Sequence, residues 1–225
     1  MNRNVLDGLI AEKSILKHLF YKAWAAGMLS KEDLQRYACQ YYHHVRAFPT
    51  YVAGIMANTE NPRLRTVLLE NLNDEEGSSP THLDLWVNFG QSLGLSRSDM
   101  ENSEVYPETR RFIDSFQSLT KQSSSLVGAA ALYTYESQIP AVAREKINGL
   151  MKYEYGSTLD VTFFAVHEEA DVRHTEGLSE VMAASSEQKE ASAAVRQVLD
   201  GWWGLLDGVL ERSPELKEKV AVCSM

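Results

Sequence analysis

The sequence is short of the residues that build stapled, basic or membrane-spanning proteins. It has only two cysteines, Cys39 and Cys223, in 225 residues. Two distant thiols make no disulfide framework, so a reducing cytosol is the expected compartment. There are six prolines and no Gly/Ser linker, which favours one domain over two. No run approaches the ~20 apolar residues that cross a bilayer. The N-terminus, Met1-Asn2-Arg3-Asn4, lacks the apolar stretch and small-residue cleavage site of a secretory signal. Basic residues are in deficit: the net charge is −9 and the pI about 5.2. That excludes wrapping of nucleic acid and a polybasic membrane patch, since both need a positive surface.

What remains is helical almost throughout. Apolar residues Val5, Leu9, Ile10, Leu16, Leu19 and Phe20 recur at helical spacing over 5–26, and Gly27 can end that helix. Ser30 and Asp33 resemble a cap for the next helix, expected over 31–48 and broken near Pro49. Asn61-Pro62 reads as a start signal for a helix reaching Glu76 and stopping at Gly77. Ser79-Pro80 starts another, to about Leu93; a polar loop, 96–103, and a helix over 107–119 follow. A long apolar helix is expected over 126–151, kinked at Pro140. Two more are expected over 158–184 and 186–211. The sequence thus predicts an all-α bundle of about seven or eight helices, with a single domain over 1–213 and a solvated, disordered tail over 214–225.

The chemistry lies in His167-Glu168-Glu169-Ala170-Asp171-Val172-Arg173-His174. At about 100° per residue, Asp171 and His174 lie about 40° and 20° from His167, so all three share one helical stripe. Glu75 and His82 are also about 20° apart, although Gly77 and Pro80 intervene and Glu76 is a near alternative. Glu136 sits in the small, apolar stretch Gly128–Ser137. A carboxylate there must be paired or metal-bound, because an isolated buried charge is very costly. Glu75, His82, Glu136, His167, Asp171 and His174 therefore form a candidate two-metal site. Mixed oxygen and nitrogen donors without thiolate suit iron or manganese better than structural zinc. His18 reads as exposed or capping, and neither His43 nor His44 reads as a ligand.

Several segments carry a resemblance. Asp74-Glu75-Glu76, His82-Leu83-Asp84-Leu85-Trp86, Tyr133-Thr134-Tyr135-Glu136-Ser137-Gln138-Ile139-Pro140, Ala143-Arg144-Glu145-Lys146-Ile147 and the histidine segment stand in the order and at nearly the separations of one known family. Tyr21, Trp24, Tyr41-Tyr42 and Phe48-Pro49 also fit. Over residues 5–210 the chain resembles the chlamydial protein associating with death domains and its bacterial relatives, which are haem-oxygenase-like di-metal oxidases. They are related in fold to the coenzyme-PQQ synthesis protein C and the TenA thiaminases.

The resemblance implies a self-sacrificing para-aminobenzoate synthase serving folate biosynthesis, making about one product per chain. Tyr21 matches the tyrosine that is consumed, Lys146 the amine donor and Tyr135 an assisting tyrosine. The six candidate ligands match the family's metal positions. Two ions, Fe/Fe or Fe/Mn, are implied, with O2 and an external electron donor as partners; a homodimer is allowed, and no nucleic acid or membrane is involved. One departure concerns Phe163, which stands where the chlamydial member has a tyrosine and puts a radical relay through that position in question. The death-domain interaction is not carried over, because no sequence motif marks it. Taken without the resemblance, Lys146 reads as a surface lysine paired with Glu145 or Glu154, and Tyr21 as an ordinary half-buried tyrosine.

Three other functions compete. The same metals could oxidise a diffusible small molecule. A non-enzymatic module could bind a partner through Trp202/Trp203 or the tail. A thiaminase-like enzyme would need Cys39 or Cys223 as nucleophile, yet neither lies in a matching motif.

Overall fold

The computed structural model describes residues 2–183 and 186–222. Its architecture is all-α, as expected, with no strand among the described residues. The described residues form twelve α-helical segments rather than seven or eight, because two expected helices are divided and two short ones arise where a loop and a tail were expected. No described helix is long and apolar enough to cross a membrane.

The expected 5–26 helix is split into α1 (Arg3–Glu12), a 3₁₀ turn (Ile15–Lys17) and α2 (Leu19–Ala26). His18 causes the second start: its Nδ1 accepts from the Phe20 amide and caps α2 while the ring is buried, so it caps but is not exposed. Gly27, at φ 71°, ends α2 in the left-handed region that a side chain disfavours.

The opposite correction applies at Pro49, where α3 (Lys31–Ala57) continues past the expected break. Proline costs one backbone hydrogen bond there. Phe48, Tyr51, Val52 and Ile55 are all buried around it, and burying each large apolar side chain contributes about 1.5–3 kcal/mol. Packing therefore outweighs the local penalty.

Helix α4 (Pro62–Glu76) starts as expected, with Asn61 capping the Arg63 and Leu64 amides. In α5 (His82–Ser92), Thr81 and Asp84 form a capping box that makes His82 the first helical residue. The 96–103 loop contains a short helix, α6 (Arg97–Glu101), and α7 spans Pro107–Gln122. The kinked helix over 126–151 is two helices, α8 (Ser125–Glu136) and α9 (Ile139–Leu150). Pro140 stands in the first turn of α9, where its missing N–H is tolerated. The candidate metal ligands end with α10 (Thr162–Met182), and α11 (Gln188–Glu211) packs along α7 and α8.

Residues 214–222 form α12 (Pro214–Val222) rather than a solvated tail. Leu216 and Val220 are buried in the core, and that apolar burial holds the segment in place. Indole N–H groups tie the bundle across its layers. Trp86 donates to Ala38 O, Trp24 to Lys146 O and Trp203 to Lys13 O, each at 3.0 Å. Helices α2 and α9 approach closely at Gly149, where a Cβ would fall 2.7 Å from the Trp24 carbonyl oxygen. That approach brings Lys146 beside α2.

Candidate metal centre and aromatic box

Four helices, α4, α5, α8 and α10, deliver the six candidate ligands to one buried place. Potential ligand atoms of Glu75, His82 and His167 all lie within 4.8 Å of one another, and so do those of Glu136, Asp171 and His174. The predicted stripe on α10 thus serves both groups, with His167 in one and Asp171 and His174 in the other. Glu75 rather than Glu76 points inward, and Glu76 is exposed.

Glu75 Oε1 is 3.1 Å from His82 Nδ1 and 3.9 Å from His167 Nε2. His174 Nδ1 lies 3.5 Å from Asp171 Oδ1 and 3.7 Å from Glu136 Oε1. The far ring nitrogens are held from outside. His167 Nδ1 is 2.6 Å from the Phe163 carbonyl oxygen, and His174 Nε2 is 3.0 Å from Asp74 Oδ2. Such outer contacts fix the tautomer and leave the inner nitrogen free to coordinate.

Three observations test whether a metal pair fits. First, Glu136 Oε2 and Asp171 Oδ2 are buried without a hydrogen-bond partner, and His82 Nδ1 and His174 Nδ1 face only ligand carboxylates, 3.1 and 3.5 Å away, without hydrogen-bond geometry. Buried polar atoms are seldom left so, and several of them facing one another are what a bound cation would satisfy. Second, Glu136 is the last residue of α8 and Glu75 the next-to-last of α4. Both sit at the negative end of a helix dipole, where a carboxylate is disfavoured and a cation is favoured.

Third, the electrostatics are frustrated without cations. Burial and the neighbouring Asp171 push the Glu136 carboxyl up to about 8. Burial and Glu75 raise Asp171 well above the carboxylate range. Burial and the neighbouring His82 lower His167 to about 4, which leaves it neutral and able to donate a lone pair. For His82, burial disfavours the cation, but the Glu75 carboxylate more than offsets this and its pKa rises. The donor set fits two divalent transition-metal ions.

Tyr135 and α3 connect this cluster to a second buried group. The Tyr135 hydroxyl hydrogen-bonds that of Tyr41, and the Tyr41 ring stacks on Tyr37 at 5.2 Å. Tyr37 Oη lies 3.1 Å from Tyr21 Oη and accepts a 2.8 Å hydrogen bond from Lys146 Nζ. Lys146 is buried, not a surface lysine. Its Nζ sits 4.8–5.8 Å from the ring centroids of Tyr41, Tyr37, Phe164, Tyr21 and Trp24. Cation–π attraction contributes about 2 kcal/mol at best, whereas burying a charge costs several kcal/mol. Burial therefore wins, and the amine is held well below its ordinary pKa. Burial pushes the phenols of Tyr21, Tyr37, Tyr41 and Tyr135 above their usual range, so they stay protonated.

Beside the candidate ligands lies a cavity of about 10 Å³, bordered by Glu75, His167, Asp171, His44, Val45, Phe48, Tyr135 and Phe163. It has room for about one water-sized molecule.

Sequence reasoning did not single out Tyr37, quoted Asp74 only within a motif, and rejected His44 as a ligand. Tyr37 and His44 flank Tyr41 at i−4 and i+3 on α3, so the helical stripe through the Tyr41-Tyr42 motif would have found them.

The chain matches the haem-oxygenase-like family described as iron-containing redox enzymes over residues 35–208. The chain belongs to that family. It is 41% identical over 210 residues to the 4-aminobenzoate synthase of Chlamydia muridarum, covering 92% of this chain and 89% of that protein. It is 36% identical over 221 residues to the 4-aminobenzoate synthase of Nitrosomonas europaea, again covering 92% and 89%. Among solved structures, a CADD-like protein of unknown function from Nostoc punctiforme superposes with a TM-score of 0.70 at 16% identity, covering 92% and 98%. That structural likeness concerns the fold. The family resemblance expected from the motifs holds.

Proposed function

We propose that this chain makes 4-aminobenzoate, for folate synthesis, from its own Tyr21 side chain, with Lys146 supplying the nitrogen. Two ions, Fe/Fe or Fe/Mn, would be held by Glu75, His82, His167, Glu136, Asp171 and His174. With an external reductant they would supply the O2-derived oxidising power that a phenol requires. The observation that carries the reading is Lys146: a buried, neutral amine hydrogen-bonded to Tyr37, beside Tyr21, with no anion to pair with.

The product's chemistry supports this pairing. A tyrosine side chain is already a para-substituted ring. Cleavage of its Cα–Cβ bond with oxidation of Cβ by O2 would give the carboxyl carbon. The Lys146 nitrogen would replace the hydroxyl, which leaves as water, and the Lys146 Nζ–Cε bond would then be cleaved oxidatively, so that Lys146 is consumed along with Tyr21. An amine acts as a nucleophile only when unprotonated, which burial provides here. The line Tyr135, Tyr41, Tyr37, Tyr21 gives Tyr135 its assisting role as the phenol next to ligand Glu136. It bypasses Phe163, so a phenylalanine there does not interrupt it. Because the ring comes from the chain itself, each chain makes about one product.

The size of the inner cavity weighs against a diffusible aromatic substrate at the metals, since it holds about one water. An interaction module is disfavoured as well. Trp202 is fully buried, Trp203 is anchored to Lys13 O, and α12 packs on the core. Burial raises the Cys39 thiol pKa, the wrong direction for a nucleophile, and Cys223 lies outside the described residues.

The test is protein carrying ring-labelled tyrosine, loaded with iron and exposed to O2 and reductant without any added organic substrate. Labelled 4-aminobenzoate is expected. Tyr21→Phe should keep its fold and metals yet release none, and Lys146→Arg should also fail, because a guanidinium stays charged. Unlabelled product, or product from Tyr21→Phe, rejects the self-sacrifice reading.

A further inference from the structure

His44 is used by nothing described so far. It is fully buried on α3, and neither Nδ1 nor Nε2 has a hydrogen-bond partner. Phe112 stacks on one side of the ring at 4.8 Å, and Tyr135 lies at 4.9 Å. A ring needed only to fill this aromatic packing would be better as phenylalanine, since an unpaired buried polar group is destabilising. The same imidazole borders the small cavity that Glu75, His167 and Asp171 close from the other side. It is therefore an unsatisfied polar group at a space the size of one small molecule.

We propose that His44 is a further catalytic residue whose imidazole N–H donates a hydrogen bond to a dioxygen-sized ligand in this cavity. A neutral imidazole always carries one N–H donor. Burial, and then the neighbouring Lys146, lower the His44 pKa to about 3, so it is neutral at working pH and brings no second positive charge toward the metals. Tyr135 cannot replace it, because its hydroxyl is engaged with Tyr41. His44 would thereby favour occupation of the cavity on the side facing the phenols. The inference rests on the metal-centre reading above.

The probe is nitric oxide, a dioxygen-sized molecule, titrated anaerobically into protein loaded with ferrous iron and followed by absorbance. The native protein should bind iron and nitric oxide. His44→Leu should keep its iron and melt no lower than the native protein, because an unpaired polar group has been removed. It should bind nitric oxide about five- to tenfold more weakly, the effect of one hydrogen bond. His44→Gln, which restores a donor, should recover most of the affinity. Unchanged nitric oxide affinity in His44→Leu overturns the proposal and leaves the metal reading intact. Loss of iron from His44→Leu also overturns it, by making His44 a ligand. If His44→Leu does not fold, His44→Gln decides alone: a melting temperature and an affinity near native uphold the donor role, and a five- to tenfold loss rejects it. A native protein that takes up no iron rejects both readings.

Discussion

At one end of the buried core, three carboxylates and three imidazoles from four helices crowd into contact. Beyond Tyr135, a single amine lies among five aromatic rings. Both regions bury ionisable groups, and they do so in opposite ways. The first gathers three carboxylates, two of them at helix C-termini, whose burial favours holding protons unless cations take their place. The second offers its amine no anion among the described residues, so burial holds the amine well below its ordinary pKa. One region burdens its carboxylates with one another; the other surrounds its amine with uncharged rings.

The sharpest way to break the first region is His174→Ala. The packed interior offers no replacement donor, so at least one metal should be lost, and product should fall by about 100-fold or more. Metal analysis together with product assay reads both. Full metal occupancy in this variant would remove His174 from the site.

The second region should respond the other way. Lys146→Met replaces a neutral buried amine by an apolar chain of similar length. The only hydrogen bond lost is the one to Tyr37, which keeps Tyr21 as a partner. Folding no longer has to strip a proton from a buried amine, so stability should be unchanged or rise, with metals retained and product abolished. Denaturant unfolding checks the first expectation. A loss of several kcal/mol would mean that Lys146 is charged and paired in the folded protein.

This contrast also explains what the sequence could reveal. The metal half was legible because its ligands repeat at helical spacing on α10 and because Glu136 stands out in an apolar helix. Both are local signals. Glu75 and His82 flank a Gly and a Pro, yet they still converge, since the capping box at Thr81 restarts the helix with His82 at its first position. The aromatic box was not legible from spacing. Lys146 was expected about 80° around a continuous helix from Glu136, but α8 ends at Glu136 and α9 restarts at Ile139. Its burial depends on α2, α3 and α10, which no local pattern encodes. The family resemblance alone singled out Tyr21 and Lys146. Pro49 was misread because packing around α3 outweighs one missing hydrogen bond. The last helix was misread because its first turns carry one apolar residue, Leu216, among Glu215, Lys217, Glu218 and Lys219, too few to show a helical stripe.

Asp74 gives a finer probe of the metal region. It touches no inward-facing ligand atom and holds His174 from behind. Asp74→Ala should keep both metals at high concentration but weaken affinity for the one bound by His174 by about 10- to 100-fold, the usual cost of losing an outer partner. Competition with a chelator measures it. Unchanged affinity would mean that Asp74 serves only its ion pair with Arg173.

The smallest effect is set by pH. In metal-free protein Glu136 titrates near 8, against an ordinary value of 4.5. The folded state then holds a proton that the unfolded state has released, so stability falls as pH rises between these values. Asp171, also raised, and His82, raised by Glu75, act in the same direction. His167, lowered to about 4, acts oppositely, but only between about 4 and its ordinary 6.5, where the unfolded state holds the extra proton. From pH 6.5 to 8 His167 no longer opposes the others; Lys146 does, because its lowered amine leaves the extra proton on the unfolded state, so the decline is the surplus of Glu136, Asp171 and His82 over that one group, taken as one net proton. One retained proton changes stability by at most about 1.4 kcal/mol per pH unit. For a chain of this size that lowers the melting temperature of the metal-free protein by on the order of 5 °C across the window. Bound cations remove the reason to hold those protons, so the metal-loaded protein should show little of this slope. Metal affinity should rise over the same window, as binding releases protons. Melting curves of both forms at pH 6.5, 7.2 and 8 make the comparison; parallel slopes would show that the buried carboxylates are already ionised without metal.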